Sequence, residues 1–198
     1  MQFLRKIFLL ASISVVFLHS LAQNKPVYNA DNNFWVDSVL SSLSDEEKIG
    51  QLFMVIAYSN KDDNHKRDIT KLITKYNIGG LMFLQGGPLR QSKLTNYYQS
   101  KSKVPLMIAI DAEWGLAMRL DSAHSFPWQM TLGAIQQPEL IYQMGKEVAR
   151  QCKLLGIHMN FAPVVDVNSN PKNPIINNRS FGEDPLKVTR MSNAYMYG

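Results

Sequence analysis

Two carboxylates arrive together at the end of an apolar run. Residues 106–119 read LMIAIDAEWGLAMR, with Asp111 and Glu113 directly after the apolar stretch and Arg119 eight positions beyond Asp111. A carboxylate at such a place can accept two hydrogen bonds from vicinal hydroxyls, and a guanidinium can turn back across a short loop to make a charge-assisted bond. Two readings stand side by side: Asp111 and Arg119 grip a polar ligand, or they pair with each other and pin the loop. A second apolar run, residues 157–167, carries Asp166 at its end, and Arg179 follows in a loop crowded with Asn168, Asn170, Asn173, Asn177 and Asn178. Asparagines in such turns mostly cap local backbone. Asp166 either faces a site with Arg179 or holds the loop by accepting backbone amides. Arg179 is the stronger candidate, because a planar donor fork suits an anionic or polar ligand.

Trp114 and Trp128, in the loop after the first run, either stack on a sugar ring or cap the site's rim. His158 sits among apolar residues and reads as a satisfied core histidine, whereas His124 reads as exposed. No two histidines have metal-ligand spacing, so neither a metal nor a cofactor is expected. G-x-S-x-G, P-loop and G-x-G-x-x-G patterns are absent from the sequence, and a nucleotide-binding reading has no phosphate loop to rest on.

The elements that must hold these residues alternate. Residues 33–42 read as a short helix with Phe34, Val36, Val39 and Leu40 inward. Ser44-Asp45-Glu46-Glu47 is a capping box opening a helical turn. Strands follow at 52–57, 78–84, 105–110 and 157–167, the last kinked at Pro163. Helices lie at 65–76, from Pro88 to about 102, from Pro138 to about 156, and from Pro185 after an Asp184 cap. The order β-α-β-α-β-α-β-α calls for a parallel sheet with its strands buried on both faces. In such folds strand-end charges build the site. Unusually long loops after the third and fourth strands favour part of a (β/α)8 barrel over a small open sheet. The fold class expected is α/β, the N-terminal part of a TIM-type (β/α)8 barrel with about four βα units.

The chain has 198 residues, 45% hydrophobic and 19% charged, an ordinary globular composition. Residues 1–22 join a basic start (Arg5, Lys6), an apolar segment too short to span a bilayer, and a Ser20-Leu21-Ala22 cleavage pattern. They are expected to be a signal peptide, removed on export, with no stable membrane anchor afterwards and a periplasmic or extracellular destination. Without Arg5 and Lys6 the formal charge of +5 falls to +3, and the remaining basic residues are scattered, so no nucleic-acid partner is expected. Cys152, the only cysteine, reads as a small buried residue in a helix rather than a reactive thiol.

These residues together resemble the N-terminal barrel of glycoside hydrolase family 3. The likeness lies in LSDEEKIGQL at 43–52, IGG at 78–80, IDxExG at 110–115, SFP at 125–127, GIxxNxAPVVDV at 156–167 and RSFGxDP at 179–185. Residues 23–198 are then an incomplete domain of that family. The Asp111 and Arg119 pairing is similar to its bacterial β-N-acetylglucosaminidase branch, which carries two glycines and an arginine where this chain has Trp114-Gly115-Leu116. The resemblance implies a retaining glycosidase releasing terminal β-linked N-acetylglucosamine from peptidoglycan fragments or chitooligosaccharides. It makes Asp111, Arg119 and Arg179 substrate-binding and Asp166 a supporting residue at the mouth. The nucleophilic Asp and the His acid/base would lie beyond residue 198, leaving no catalytic residue here and an inactive, poorly stable fragment. A β-glucosidase or β-xylosidase of the same family and a non-catalytic saccharide-binding module are the alternatives. In every case the partner is a carbohydrate.

Overall fold

The computed structural model describes residues 33–198. The segment read above as a signal peptide lies outside the described residues. The chain divides into two compact units, Met1–Ser42 and Leu43–Gly198. The described part of the first is helix α1, Phe34–Ser41, which buries none of its residues. Phe34, Val36 and Leu40 are exposed instead of inward.

The second unit is α/β. Ser44 opens α2, Asp45–Gly50, through the expected capping box: the Glu47 amide donates to Ser44 Oγ at 3.2 Å and the Ser44 amide to Glu47 Oε2 at 3.0 Å. Then come β1 (Met54–Tyr58), α3 (Asp63–Tyr76), β2 (Gly80–Gln85), α4 (Pro88–Gln99) and β3 (Met107–Ile110). After them follow α5 (Gln129–Gly133), α6 (Pro138–Leu154), β4 (Met159–Asn160) and α7 (Pro185–Tyr197). Pro88, Pro138 and Pro185 each take the first turn of their helix, where the missing N–H costs nothing. The four strands pair in parallel in the order β1-β2-β3-β4, the arrangement of consecutive βα units in a barrel.

Register sorts the strand side chains into two sets. Val55, Leu81 and Ile108 lie abreast, as do Ala57, Phe83 and Ile110. With Ile69 and Ile73 of α3, Tyr98 of α4, and Ile141 and Val148 of α6 they make one core. The alternate residues Met54, Ile56, Met82, Met107 and Met159 belong to the opposite face, where Ile56, Met107 and Met159 are exposed. The expectation of strands buried on both faces thus holds for one face only. In a closed barrel the inner face is covered by the strands opposite, and the described residues supply four. Among the described residues no helix is long and apolar enough to cross a membrane.

The fourth strand is much shorter than its apolar run implies, two residues rather than 157–167. The chain leaves the sheet at Phe161, and the Ala162–Pro163 peptide is cis. Proline offers no N–H to a ladder. Val164 is instead held by a side chain: Gln129 Nε2 donates to its carbonyl at 2.8 Å, and its amide donates to Gln129 Oε1 at 3.0 Å.

Candidate functional site

The site is assembled where β3 and β4 end. Asp111 directly follows β3. Ala112 is buried, and its amide donates to Asn160 Oδ1 at 3.0 Å, tying the exit of β3 to β4. Gly115 then reverses the chain with φ of +85°, and a side chain there would meet the Phe126 ring at 2.7 Å. A 3-10 turn, Leu116–Met118, brings Arg119 back over the strand end. Arg119 Nη2 donates to Asp111 Oδ2 at 2.5 Å, with both side chains about a fifth exposed (23% and 22%). The loop itself is anchored to the end of β2, since the Gly86 amide donates to the Arg119 carbonyl and the Asp121 amide to the Gly86 carbonyl.

Glu113, two positions after Asp111, points elsewhere. It is 4% exposed and takes the guanidinium of Arg179 side-on: Arg179 Nε lies 3.1 and 3.0 Å from the two carboxylate oxygens, and Nη2 lies 2.8 Å from Oε1. Arg179 Nη1 donates to the Ile175 carbonyl at 3.3 Å. The arginine ends a 3-10 turn, Asn177–Arg179, entered through Asn177 at φ of +32°. Its pKa is raised chiefly by the hydrogen bonds to Glu113, and the charges of Asp166 and Asp111 add to the effect.

This geometry corrects the grouping read from the sequence, which set Arg179 with Asp166. Glu113 is the partner of Arg179, and Asp111 that of Arg119. Asp166 is exposed, and it is the main-chain carbonyl of Asp166, not its carboxylate, that holds the loop, by accepting from Ser180 Oγ at 2.6 Å. Ser180 is fully buried, and its Oγ also accepts the Gly182 amide at 3.1 Å. The asparagines behave as local caps where bonds form: Asn170 Oδ1 accepts the Lys172 amide, and Asn173 Oδ1 accepts the Ile175 and Ile176 amides.

His158 is exposed rather than a core residue, since β4 is the last strand in the sheet order. Its Nδ1 is nevertheless satisfied, accepting the Ile108 amide at 3.0 Å. His124 is exposed and sits edge-on to Phe126. Trp114 and Trp128 stack on each other with centroids 4.1 Å apart and planes 25° from parallel. Burial pushes the Cys152 thiol up to about 11. Among the described residues no group of three His, Cys, Asp or Glu is arranged to hold a metal ion.

Three residues outside the candidates hold the site in place. Asn160 was visible in the GIxxNxAP motif; Gln129 gave no local signal. Tyr195 of α7 donates to the Ala112 carbonyl at 3.3 Å and accepts from Asn160 Nδ2 at 3.1 Å. It looks in sequence like any aromatic on a helix face.

Residues 44–198 match the model of the "Glycosyl hydrolase family 3 N terminal domain". A relative named beta-hexosaminidase A, from Pseudoalteromonas piscicida, is 40% identical over 137 residues, covering 63% of this chain and 23% of its own length. A beta-N-acetylglucosaminidase/beta-glucosidase from Cellulomonas fimi is 30% identical over 166 residues, covering 84% and 29%. Among solved structures, the beta-glucoside phosphorylase BglX bound to 2FGlc superposes with a TM-score of 0.80 at 29% identity, covering 90% of this chain and 32% of that one. This chain therefore spans less than a third of each of the three.

Proposed function

We propose, since this chain belongs to glycosyl hydrolase family 3, that its residues build the sugar-gripping side of an active site that releases terminal β-linked N-acetylglucosamine. The substrates on this reading are peptidoglycan fragments or chitooligosaccharides, and the whole protein is a retaining glycosidase. The observation that carries the reading is the pair of guanidinium–carboxylate contacts at the end of β3, Arg119 with Asp111 and Arg179 with Glu113. Ionised acceptors and fixed guanidinium donors, interleaved at one rim, suit the vicinal hydroxyls and amide of a pyranose better than any single anion.

The roles follow from the bonds already made. Arg119 fixes one oxygen of Asp111 and leaves the other to accept from a sugar hydroxyl. Arg179 has five N–H donors, and Glu113 and the Ile175 carbonyl leave donors on both Nη atoms for the ligand. Asp166, whose carboxylate makes no hydrogen bond among the described residues, supports the mouth electrostatically. Double displacement needs a carboxylate nucleophile and an acid/base. The family resemblance assigns that pair to the rest of the protein, and residues 33–198 to binding. The pattern of residues 1–22 assigns the enzyme to an exported compartment.

A second reading, a β-glucosidase, has a specific observation behind it. Leu116 is buried and Trp114 stacks on Trp128, so the third loop is built differently from one with the two glycines and arginine of the β-N-acetylglucosaminidase branch. The test is hydrolysis by the full-length protein of chromogenic N-acetyl-β-glucosaminide against β-glucoside, in water and in phosphate. Preference for the acetamido sugar is expected. Preference for glucoside moves the assignment to the second reading, and no turnover of either ends both.

A further inference from the structure

We propose that Glu113 is a positioning residue, which acts on the sugar only through Arg179; the inference rests on the reading of Arg179 as a substrate contact. Glu113 cannot reach a ligand itself. It is 4% exposed, and both of its oxygens are occupied by the one guanidinium. Arg179, in contrast, is 35% exposed. It stands at the end of a long loop whose only regular piece is a single 3-10 turn. An arginine there has many rotamers to choose from, and a sugar must otherwise bear the entropy of choosing one.

Glu113 makes that choice in advance. It takes the edge formed by Nε and Nη2, and the Ile175 carbonyl takes one donor of Nη1. What faces the mouth is the rest of a planar fork, fixed in rotation as well as position. The pair also joins the third loop to the fourth across 66 residues of sequence, so Arg179 is referenced to the end of β3 as well as to its own loop. Glu113 has a second anchor for this task. The adjacent Ala112 is locked by Asn160 and Tyr195 through both its amide and its carbonyl.

The test is a double-mutant cycle on kcat/KM in the full-length enzyme, using Glu113→Gln, Arg179→Ala and the combination. Glutamine keeps the shape and removes the charge. Glu113→Gln is expected to lower kcat/KM roughly ten- to a hundredfold, the range of a lost charged hydrogen bond, and to have no further effect once Arg179 is alanine. Equal losses in both backgrounds would show that Glu113 acts independently of Arg179 and overturn the proposal. So would wild-type kinetics for Glu113→Gln alongside an impaired Arg179→Ala, which leaves the sugar site intact. An unimpaired Arg179→Ala would instead remove the site reading itself, and this inference with it. Thermal unfolding is followed in parallel. If Glu113→Gln does not fold, Arg179→Lys with Glu113 intact replaces it: a lysine cannot be held on two edges, and a loss of tenfold or more is expected. Unchanged kinetics there overturn the proposal equally.

Discussion

Asn160 Oδ1 accepts the main-chain amide of Ala112 at 3.0 Å, so a side chain of β4 completes a backbone hydrogen bond that β3 can no longer make as it leaves the sheet. The same amide group donates through Nδ2 to Tyr195 OH, which donates in turn to the Ala112 carbonyl at 3.3 Å. Strand, loop and helix meet in one closed set of bonds directly before Glu113. Asn160→Ala strips a partner from a fully buried amide, which costs about 1–3 kcal/mol beyond the bond itself. A lowered denaturant midpoint with an unchanged slope is expected, together with a fall in kcat/KM. A midpoint at the wild-type value would mean that Ala112 finds water or another acceptor.

Asp111 is argued to bind substrate with the oxygen that Arg119 leaves free. Asp111→Ala in the full-length enzyme is expected to lower kcat/KM by roughly 1.5–3 kcal/mol, the worth of a charged hydrogen bond. Arg119 Nε is already buried without a partner, so losing Asp111 also leaves the guanidinium poorly satisfied. Arg119→Ala should therefore cost less in combination with Asp111→Ala than alone. Wild-type kinetics for Asp111→Ala would take it out of the site.

Much of this fold is legible in the sequence because its signals are local. Prolines at the first turns of three helices, the Ser44–Glu47 box and the 3.6-residue spacing of Ile69 and Ile73 each act within a few residues. Strand four failed for the opposite reason. The run from Ile157 to Val167 is apolar enough for a long strand, but Val164 is satisfied by Gln129, a residue 35 positions away with no mark of that role. The site divides in the same manner. Arg119 lies eight positions after Asp111, and that spacing puts their bond among the two readings open from sequence. Glu113 and Arg179 are 66 apart, and no local signal decides which acid meets which arginine.

Alkaline pH should weaken this domain through buried acids held in their neutral forms. Burial pushes the Cys152 thiol up to about 11 and the Tyr98 phenol up to about 12, and raises Tyr195 as well. Tyr98 OH has no hydrogen-bond partner, so ionising it in place is doubly unfavourable. Groups with raised folded pKa values contribute stability that is fully present below their unfolded values, near 9 to 10. That stability is lost as pH climbs through about 11 and then 12. The unfolding temperature should decline progressively above pH 9, and Cys152 should resist thiol reagents at pH 8 until the protein is unfolded. Rapid labelling of the native protein would contradict the burial argument.

Gly145, in the interior of α6, reverses a familiar substitution. Alanine in place of a mid-helix glycine normally stabilises by about 1 kcal/mol, since it restricts the unfolded chain and favours the helix. Here an added Cβ would lie 2.2 Å from the Tyr195 carbonyl of α7, a contact with backbone that no rotamer can relieve. The two helices must part, and overpacking of that kind costs roughly 1–3 kcal/mol. The strain does not stay at the crossing, because Tyr195 carries the hydroxyl that holds Asn160 and Ala112. Gly145→Ala is thus expected to lower both the unfolding midpoint and kcat/KM, although it lies on a helix remote from the charged pairs. A stabilised variant with intact kinetics would show that α7 yields freely. It would also show that the end of β3 is held by something other than Tyr195.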